Sequence, residues 1–345
     1  MMLGHDFSPV QSDLTATGAA QTALHERAAA VTRRQFGNQV FVRAVVEVSN
    51  YCRENCAYCG MRRDNRTLHR YRAEHDQLAE LLIHHLPESV TDVNIQSGED
   101  PVAVREVVLP LLQTLRRETN LGVSLCLGTL SEELYGELRN AGATIYIMKF
   151  ESGGEDRYHA AQAPGTLAER LYHIRQLASR GWFVSSGVIA GLPGQTTKDL
   201  LADLELARSL PLRGCSLSPF IPGDETPLAH EPAAPASSTF NGMAALRLMQ
   251  PDWVIPAVSA LNLVEGEGYR RGLRAGANLV TINLTPDRLR RDYVIYKRDR
   301  FIMTEDRVLA AISAEGLAPS PQGLAEHYRE EAARLASPLR AVRAV

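Results

Sequence analysis

The segment VEVSNYCRENCAYCGMRRDN (46–65) decides the fold, because it joins a predicted strand directly to a compact group of cysteines. The strand, VFVRAVVEVS (40–49), is an apolar run rich in β-branched residues, as a buried strand requires. Cys52, Cys56 and Cys59 follow it with the spacing C-x3-C-x2-C. In a parallel barrel, the loops after the strands form the carboxyl-terminal mouth, where the chemistry of such folds takes place. We therefore expect a reactive centre on this loop.

Short apolar runs alternate with amphipathic, helix-length segments along most of the remaining chain, which predicts a parallel α/β architecture. A TIM-type (βα)8 barrel needs roughly 250 residues and fits the 345-residue chain with room for a helix before it and a helical extension after it. An open doubly wound sheet would show the same local pattern. The eight candidate strands are 40–49, 92–97, 122–128, 144–151, 183–191, 214–220, 253–260 and 278–284.

Three regions are predicted along the chain. Residues 1–22 are polar and rich in Ala and Thr, which favours a flexible N-terminal tail. Residues 23–303 hold an initial helix and the barrel. Residues 304–345 form a C-terminal helical extension, whose two helices we expect on the surface, joined by APSPQG (318–323).

Composition and charge narrow the class of ligand. A net charge of -3 and a pI near 6.4 leave no excess of cations to neutralise a phosphate backbone, so we expect no nucleic-acid partner. No apolar run reaches the roughly 18 residues that span a bilayer, and the N-terminus lacks the layout of a signal peptide, so we expect no membrane partner and a cytoplasmic location. A small polar molecule is the expected substrate.

The cysteine content indicates metal binding in a reducing compartment. Five cysteines are an odd number, and three of them lie within eight residues, which is a poor disulfide framework. Three thiolates on one loop can bind three irons of a cubane and leave the fourth iron open. The alternative is a non-catalytic zinc- or cluster-stabilised binding module, although structural zinc needs four N or S ligands and no second pair follows. Cys126 and Cys215, alone in apolar runs, are predicted core residues.

The cysteine spacing, with Tyr58 before the last cysteine, resembles the signature of the radical S-adenosylmethionine (SAM) superfamily. SNYCRENCAYCGMRRDN, QSGEDP and GLPGQT are similar to the [FeFe]-hydrogenase maturase that acts on the diiron-site precursor. FGNQVF and RAGANLVT are also similar to methylornithine synthase and, more distantly, to biotin synthase. The resemblance implies a [4Fe–4S] cluster on Cys52, Cys56 and Cys59, SAM bound to its open iron, and an electron donor such as flavodoxin or ferredoxin. Reductive cleavage of SAM then gives a 5′-deoxyadenosyl radical.

The resemblance also implies which residues contact SAM. Arg170 matches the arginine that binds the SAM carboxylate, and Glu151 matches a residue that accepts hydrogen bonds from SAM. The glycine of GLPG begins a stretch expected against the adenosine. Turn glycines, helix-capping carboxylates and a solvated arginine are the structural alternatives. The implied set is Tyr58, Ser97, Gly98, Glu99, Asp100, Glu151, Arg170, Gly191, Leu192 and Pro193.

Small, mostly uncharged polar residues near the ends of the late strands are candidates for substrate binding. Ser and Thr that only fill the barrel are the structural alternative. The leading hypothesis is a mutase- or lyase-type radical rearrangement or cleavage of a small amino-acid-like substrate, similar to methylornithine synthase. The alternative within the superfamily is a maturase that acts on a diiron-site precursor. The candidates are Ser216, Ser218, Ser259, Asn262, Thr281 and Asn283.

Overall fold

The apolar runs rich in β-branched residues pair side by side into one curled parallel sheet. The computed structural model describes residues 8–298 and 302–336. Seven strands follow the order β6-β5-β4-β3-β2-β1-β7, and an eighth, two-residue strand pairs with the start of β1. The strands are β1 (Gln39–Ser49), β2 (Asp92–Ser97), β3 (Gly122–Cys126), β4 (Ile145–Ile147), β5 (Phe183–Ala190), β6 (Gly214–Pro219), β7 (Leu279–Asn283) and β8 (Ala318–Pro319).

Helices connect the strands and cover the outside of the sheet, and several of them contact it directly. A π-helical turn, Val104–Val108, joins two of them. Within the described residues, no helix combines the length and the apolar character needed to cross a membrane. The helices are α1 (Ser8–Leu14), α2 (Gly18–Phe36), α3 (His75–His84), α4 (Pro101–Ala103), α5 (Leu109–Glu118), α6 (Glu132–Asn140), α7 (Glu155–Ala160), α8 (Leu167–Ser179), α9 (Thr197–Ser209), α10 (Ala236–Met249), α11 (Leu261–Val264), α12 (Gly268–Arg274), α13 (Asp287–Arg290), α14 (Glu305–Ala314) and α15 (Leu324–Ala336).

The TIM-type architecture is confirmed, but the predicted strand 253–260 is wrong. This segment makes only two isolated parallel bridges, Val254 with Gly214 of β6 and Pro256 with Leu279 of β7. Proline lacks the N–H that a continuous ladder requires, so regular pairing cannot run through it. The segment therefore links β6 to β7 only near the amino-terminal ends of the strands.

The N-terminal region is ordered by contact with α10. Residues 8–22 were expected to be a loose tail, and they instead form α1 and the start of α2. The Asn241 amide on α10 donates to the carbonyls of Leu14 and Ala16, at 3.2 and 2.9 Å, and Gln21 donates to the Asn241 carbonyl oxygen at 2.8 Å. The prediction is therefore wrong from residue 8 onwards, and residues 1–7 lie outside the described part of the chain.

The second helix of the C-terminal extension closes the amino-terminal end of the barrel. Asp92, the first residue of β2, accepts hydrogen bonds from the backbone N–H groups of Leu324 and Ala325 at 2.6 and 3.1 Å. A carboxylate at a helix N-terminus satisfies free N–H groups and complements the helix dipole. Tyr328 is buried, whereas Glu326 and Arg329 are exposed, so α15 lies at the surface and its inner face also closes the end of the barrel. Residues 337–345 lie outside the description.

Candidate active site

The cysteine loop after β1 is held by one arginine. The guanidinium of Arg70 donates four hydrogen bonds, between 2.5 and 3.2 Å long, to backbone carbonyls of the loop. Such a planar fork fixes several carbonyls at once. The loop conformation is therefore imposed by a residue outside the cysteine motif. The four acceptors are the carbonyl oxygens of Asn50, Met61, Arg62 and Asn65.

The loop rests directly on the end of β2, at the QSGED motif. A side chain on Gly98 would place its Cβ 2.2 Å from the carbonyl oxygen of Tyr51 and 2.8 Å from Cβ of Cys52. The next backbone N–H, that of Glu99, donates to Sγ of Cys52 at 3.4 Å. Position 98 therefore requires glycine, because the cysteine loop packs directly against its backbone. The motif also donates a backbone hydrogen bond to Sγ of Cys52, one of the predicted cluster ligands.

The three thiols suit an iron–sulfur cluster. Burial raises the pKa of Cys52 and of Cys56, and it raises the pKa of Cys59 to about 12, with other cysteines of the loop adding to the shift for Cys56 and Cys59. Because the thiolate is the metal ligand, ionisation here requires a strongly cationic partner such as iron. In residues 8–298 and 302–336, no three His, Cys, Asp or Glu side chains converge on a point suited to one metal ion. A zinc site needs that convergence, whereas in a cubane each thiolate binds a different iron.

A buried ion pair lies beside the cysteine loop. Arg170 on α8 donates to Oε1 of Glu99 at 2.8 Å, and both side chains are more than 90% buried. The second carboxylate oxygen of Glu99 accepts from Arg53 at 3.1 Å. Gly128 has a positive φ of 73°, and a Cβ there would lie 2.1 Å from Cγ of Glu99. The structure thus brings two predicted SAM contacts, Arg170 and Glu99, together.

Two buried polar atoms near this pair have no hydrogen-bond partner: Oε2 of Glu151 and Nε of Arg170. Glu151 adopts a left-handed φ of 59° and bridges to β5 through backbone hydrogen bonds with Gly187 and Ile189. Burial raises the pKa of Glu151, with Arg170 and Lys149 acting in the opposite direction. Orphaned buried groups are costly, so a ligand that offers both an N–H donor and a carboxylate is expected here. The amino and carboxylate groups of SAM meet that requirement.

Two residues of the motif 97–100 have protein partners. Asp100 accepts from Arg72 at 2.7 and 3.0 Å and from the Ser49 hydroxyl at 2.7 Å. Burial alone would raise the pKa of Asp100, but these partners leave it lowered. Within the described chain Asp100 therefore braces the loop, whereas a direct SAM contact was predicted. The hydroxyl of Ser97 donates to the Gly98 carbonyl at 2.6 Å.

The GLPG turn after β5 has a left-handed backbone at its glycines, a conformation that glycine adopts without strain. Gly191 has a φ of 84°, and a Cβ there would lie 2.3 Å from Cβ of Ala234. Its N–H donates to the side chain of Gln195 at 2.5 Å. Leu192 is buried, whereas Pro193 is exposed. Contact of this turn with adenosine stays a prediction. Tyr58 is buried against Cys56, and its position beside an iron-bound ligand is likewise a prediction.

The barrel encloses a large cavity, which we call the barrel cavity. About 1290 Å³ of space, including the open mouth, is not filled by protein atoms. Asn262 is not part of its wall, because its side-chain carbonyl accepts from the Tyr269 backbone at 3.1 Å. Cys215 belongs to the hydrophobic core, as predicted, although it also borders the cavity, whereas Cys126 is only partly buried and lines the cavity. The predicted substrate residues that line it are Ser216, Ser218, Ser259, Thr281 and Asn283.

The early strands add charged and amide groups that the late-strand prediction missed. On β1 the side chains at 43, 45 and 47 line the cavity, and on β2 those at 94 and 96 do so. The detectable signal is polar residues spaced two apart in otherwise apolar strands. The late-strand side chains that line the cavity are uncharged, as expected, and the charged groups come from the earlier strands. The missed residues are Arg43, Glu47, Asn94, Gln96 and Lys149.

The charged groups of the cavity lining differ in how many hydrogen-bond and charge partners the protein gives them. Oε1 of Glu47 accepts from the amides of Gln96 and Asn283 at 3.3 and 3.2 Å. Nε of Arg43 is buried without a hydrogen-bond partner. Burial lowers the pKa of Lys149, but Glu151 together with Tyr296 and the two cavity cysteines more than offsets burial, so the net shift of the pKa is upwards. The cavity thus holds cations that the protein does not fully pair.

Comparison with known proteins agrees with this geometry and defines the class as a radical SAM enzyme. The sequence profile of the Radical SAM superfamily matches residues 46–207. The [FeFe] hydrogenase maturase subunit HydE of Thermotoga maritima is 33% identical over 274 residues, which are 79% of this chain and 78% of HydE. The chain belongs to the radical SAM superfamily, whose members use a [4Fe–4S] cluster and SAM.

Further relatives place the chain in a defined group of that superfamily. The 3-methylornithine synthase of Methanosarcina acetivorans is 26% identical over 306 residues, covering 87% of this chain and 85% of the synthase. The crystal structure of methylornithine synthase (PylB) has a TM-score of 0.81 at 22% identity and covers 94% of this chain and 95% of that one. The maturase HydG from Carboxydothermus hydrogenoformans has a TM-score of 0.77 at 16% identity, covering 94% and 78%. Both structural likenesses support the fold alone.

Proposed function

We propose that this enzyme abstracts a single hydrogen atom from a carbon of a small amino-acid-like substrate held in the barrel cavity. Rearrangement or cleavage of the substrate then follows. When bound, the cluster and SAM together supply the 5′-deoxyadenosyl radical that begins such chemistry. The protein must bind and orient the substrate and exclude water from it. The observation that carries the proposal is the pattern of unpaired cations and paired acceptors in the cavity.

The lining of the barrel cavity complements both charged groups of an amino acid. Arg43 has a buried Nε without a partner, and a substrate carboxylate would satisfy it and neutralise its charge. Glu47 accepts amide hydrogen bonds from Gln96 and Asn283, and its carboxyl group lines the cavity where it would attract a substrate ammonium group. A neutral apolar substrate would leave these groups desolvated and unmatched, which is costly. The site therefore favours a small zwitterion.

The barrel cavity adjoins a second, smaller cavity beside the cysteine loop. The smaller cavity is lined by Tyr58 and Glu151. The two cavities have four wall residues in common, so SAM held beside Glu151 would lie next to the substrate. Ile295 contributes apolar surface that limits water at this junction. The shared residues are Lys149, Ser218, Ile295 and Tyr296.

The second candidate function is a maturase reaction on a diiron-site precursor. The 33% identity to HydE favours it. In that case the cationic lining would bind the anionic ligands of a metal complex. The two functions predict different products: hydrogen abstraction releases 5′-deoxyadenosine, whereas radical addition bonds the adenosyl carbon to the substrate.

The test begins with reconstituted, reduced enzyme and SAM. A filtrate of cell metabolites below about 1 kDa, the size range of a ligand that fits such a cavity, should stimulate the formation of 5′-deoxyadenosine. Arg43→Gln and Lys149→Gln should each lower the ratio of stimulated to basal formation at least about tenfold, because each removes a charged contact. Arg33→Gln, on the exposed end of α2, is the matched control. Equal stimulation of all variants would contradict the assignment of the cavity.

A further inference from the structure

Two of the predicted SAM contacts lie in neighbouring loops at the mouth of the barrel. Glu151 lies in the loop after β4, and the GLPG turn, which begins at Gly191, follows β5. Backbone hydrogen bonds join Glu151 to β5. Residues 152–154 and 191–195 lie beyond the paired strands, so contacts outside the sheet must fix the spacing of the two loops.

One fully buried carboxylate on α9, that of Asp203, is bonded to both loops. Its Oδ1 accepts from the Gly153 N–H at 2.6 Å, and its Oδ2 accepts from the side-chain amide of Gln195 at 2.9 Å. The Gln195 amide also donates to the Ile189 carbonyl at 3.2 Å, and its side-chain oxygen accepts from the Gly191 N–H. Asp203 therefore links the loop after β4 to the turn after β5.

The loop after β4 also packs closely against α9. A Cβ at Gly153 would lie 2.7 Å from Cδ2 of Leu206 and 3.1 Å from Oδ1 of Asp203. The helix is anchored at its start, where Thr196 and Asp199 form a capping box. Because this cap directly follows the GLPG segment, the helix that carries the carboxylate begins at a fixed position relative to the turn.

Asp203 is a buried charge without an ion pair in the part of the chain that the structure describes. Burial raises its pKa to about 6, while its two hydrogen bonds and the charge of Arg157 act in the opposite direction. Arg157 itself pairs with Asp199 at 2.8 Å. Desolvation offsets much of what a buried charge contributes to stability, so fold stability alone gives little reason for this carboxylate. Both of its hydrogen bonds go to the loops at the mouth, which indicates a role in holding them.

We propose that Asp203 is a positioning residue for SAM, because it fixes the spacing of the two loops that are predicted to contact the cofactor. Through Gly153 it holds the loop of Glu151, whose carboxylate is predicted to bind the amino group of SAM. Through Gln195 it holds the GLPG turn, which is predicted to contact the adenosine. A ligand that touches both loops binds more tightly when their spacing is set beforehand, because less conformational freedom is lost on binding. This role concerns SAM alone, so it holds for either proposed reaction.

The test exchanges the hydrogen-bond donor and acceptor between positions 203 and 195. In Asp203→Asn, either orientation of the new amide sets an N–H donor against another donor, so one of the two hydrogen bonds is lost. In the double variant Asp203→Asn/Gln195→Glu, the amide at 203 donates to the carboxylate at 195, which still accepts from the Gly191 N–H. The bond to the Ile189 carbonyl is then missing, so rescue should be partial. The matched control is Glu205→Gln, a partly exposed carboxylate that pairs within the same helix.

Three quantities are measured for each reconstituted protein: the dissociation constant of SAM, the iron and sulfide content, and the amide hydrogen exchange of residues 151–154 and 191–195 without SAM. Asp203→Asn should bind SAM about 10- to 100-fold more weakly, because a hydrogen bond to a buried charged group is lost. Both loops should exchange faster, whereas the iron and sulfide content should not change. The double variant should recover to within about fivefold of the unmodified enzyme, and the control should stay within about twofold.

Unchanged SAM affinity in Asp203→Asn would overturn the proposal. So would a double variant that binds SAM no better than the single one, because exchange of donor and acceptor does not repair a general loss of stability. Gln195→Ala keeps the bond between Asp203 and Gly153, so it tests the turn alone should Asp203→Asn not fold. It should weaken the binding of 5′-deoxyadenosine but not that of methionine, ligands that represent the adenosine and amino-acid parts of SAM. An equal effect on both ligands, or none, would overturn the proposal.

Discussion

Replacing Arg170 by alanine should weaken SAM binding without removing the cluster. Arg170 is buried and has an unpaired Nε, and its other two nitrogens donate to Glu99 and to the sulfur of Met148. A charge-assisted hydrogen bond contributes about 1.5–3 kcal/mol, so its loss should raise the dissociation constant of SAM about 10- to 150-fold. Arg170→Lys should fall between the two, because a lysine keeps the charge but lacks the planar fork.

Arg53 provides a matched control, because it bonds to the same carboxylate of Glu99 from the solvent side. Its side chain is 49% exposed. Exposed ion pairs contribute at most about 1 kcal/mol, so Arg53→Ala should weaken SAM binding less than about fivefold. The assay is equilibrium binding of SAM to anaerobically reconstituted protein, with iron and sulfide measured on the same samples. If Arg170→Ala bound SAM within about twofold of the unmodified protein, the arginine would serve only to pair Glu99. Loss of iron in that variant would also contradict the assigned role.

The remaining predictions concern the cysteine loop and the closure of the barrel. Cys56→Ala should lose the cluster, and full iron content in that variant would refute the ligand assignment. Gly98→Ala should lose iron because its Cβ collides with the loop, whereas Gly136→Ala, in open space on α6, should keep it; equal iron content would argue against the close approach. Asp92→Asn should destabilise the start of α15 by about 0.5–2 kcal/mol, and unchanged hydrogen exchange across α15 would contradict its capping role.

Local sequence features identified most of the fold and the metal ligands. The first strand and the C-x3-C-x2-C loop depend on residue types that are adjacent in the chain. The segment 253–260 has the apolar character of a strand, but Pro256 interrupts the ladder. Residues 8–14 and 18–22 are helical, and the chain between these helices is held by Asn241, which is more than 200 residues away. Such tertiary contacts leave no mark in a local pattern.

Some residues of the candidate site were likewise predictable from the sequence, and others were not. The cysteines were predicted from their spacing. The hydrogen bonds from Arg70 to the carbonyls of Met61 and Arg62 depend on the folded conformation of the loop, so the sequence does not indicate them. Arg43 lies in an apolar run, and its exposure to the barrel cavity depends on curvature of the whole sheet. Asp100 was predicted as a ligand contact from its residue type, and that contact stays a prediction; its hydrogen bonds with Arg72 and Ser49 depend on tertiary structure and were not predictable from the sequence.

Deuterium transfer tests hydrogen abstraction from a small substrate most directly. Metabolites from cells grown in heavy water, extracted into ordinary water and filtered below about 1 kDa, carry deuterium only on carbon. Reduced enzyme incubated with this filtrate and SAM should produce 5′-deoxyadenosine one mass unit heavier, or return SAM labelled at the same carbon. The Cys56→Ala protein should produce neither. Unlabelled 5′-deoxyadenosine, together with an adduct that joins the adenosyl carbon to a substrate, would contradict hydrogen abstraction and support the maturase-type addition.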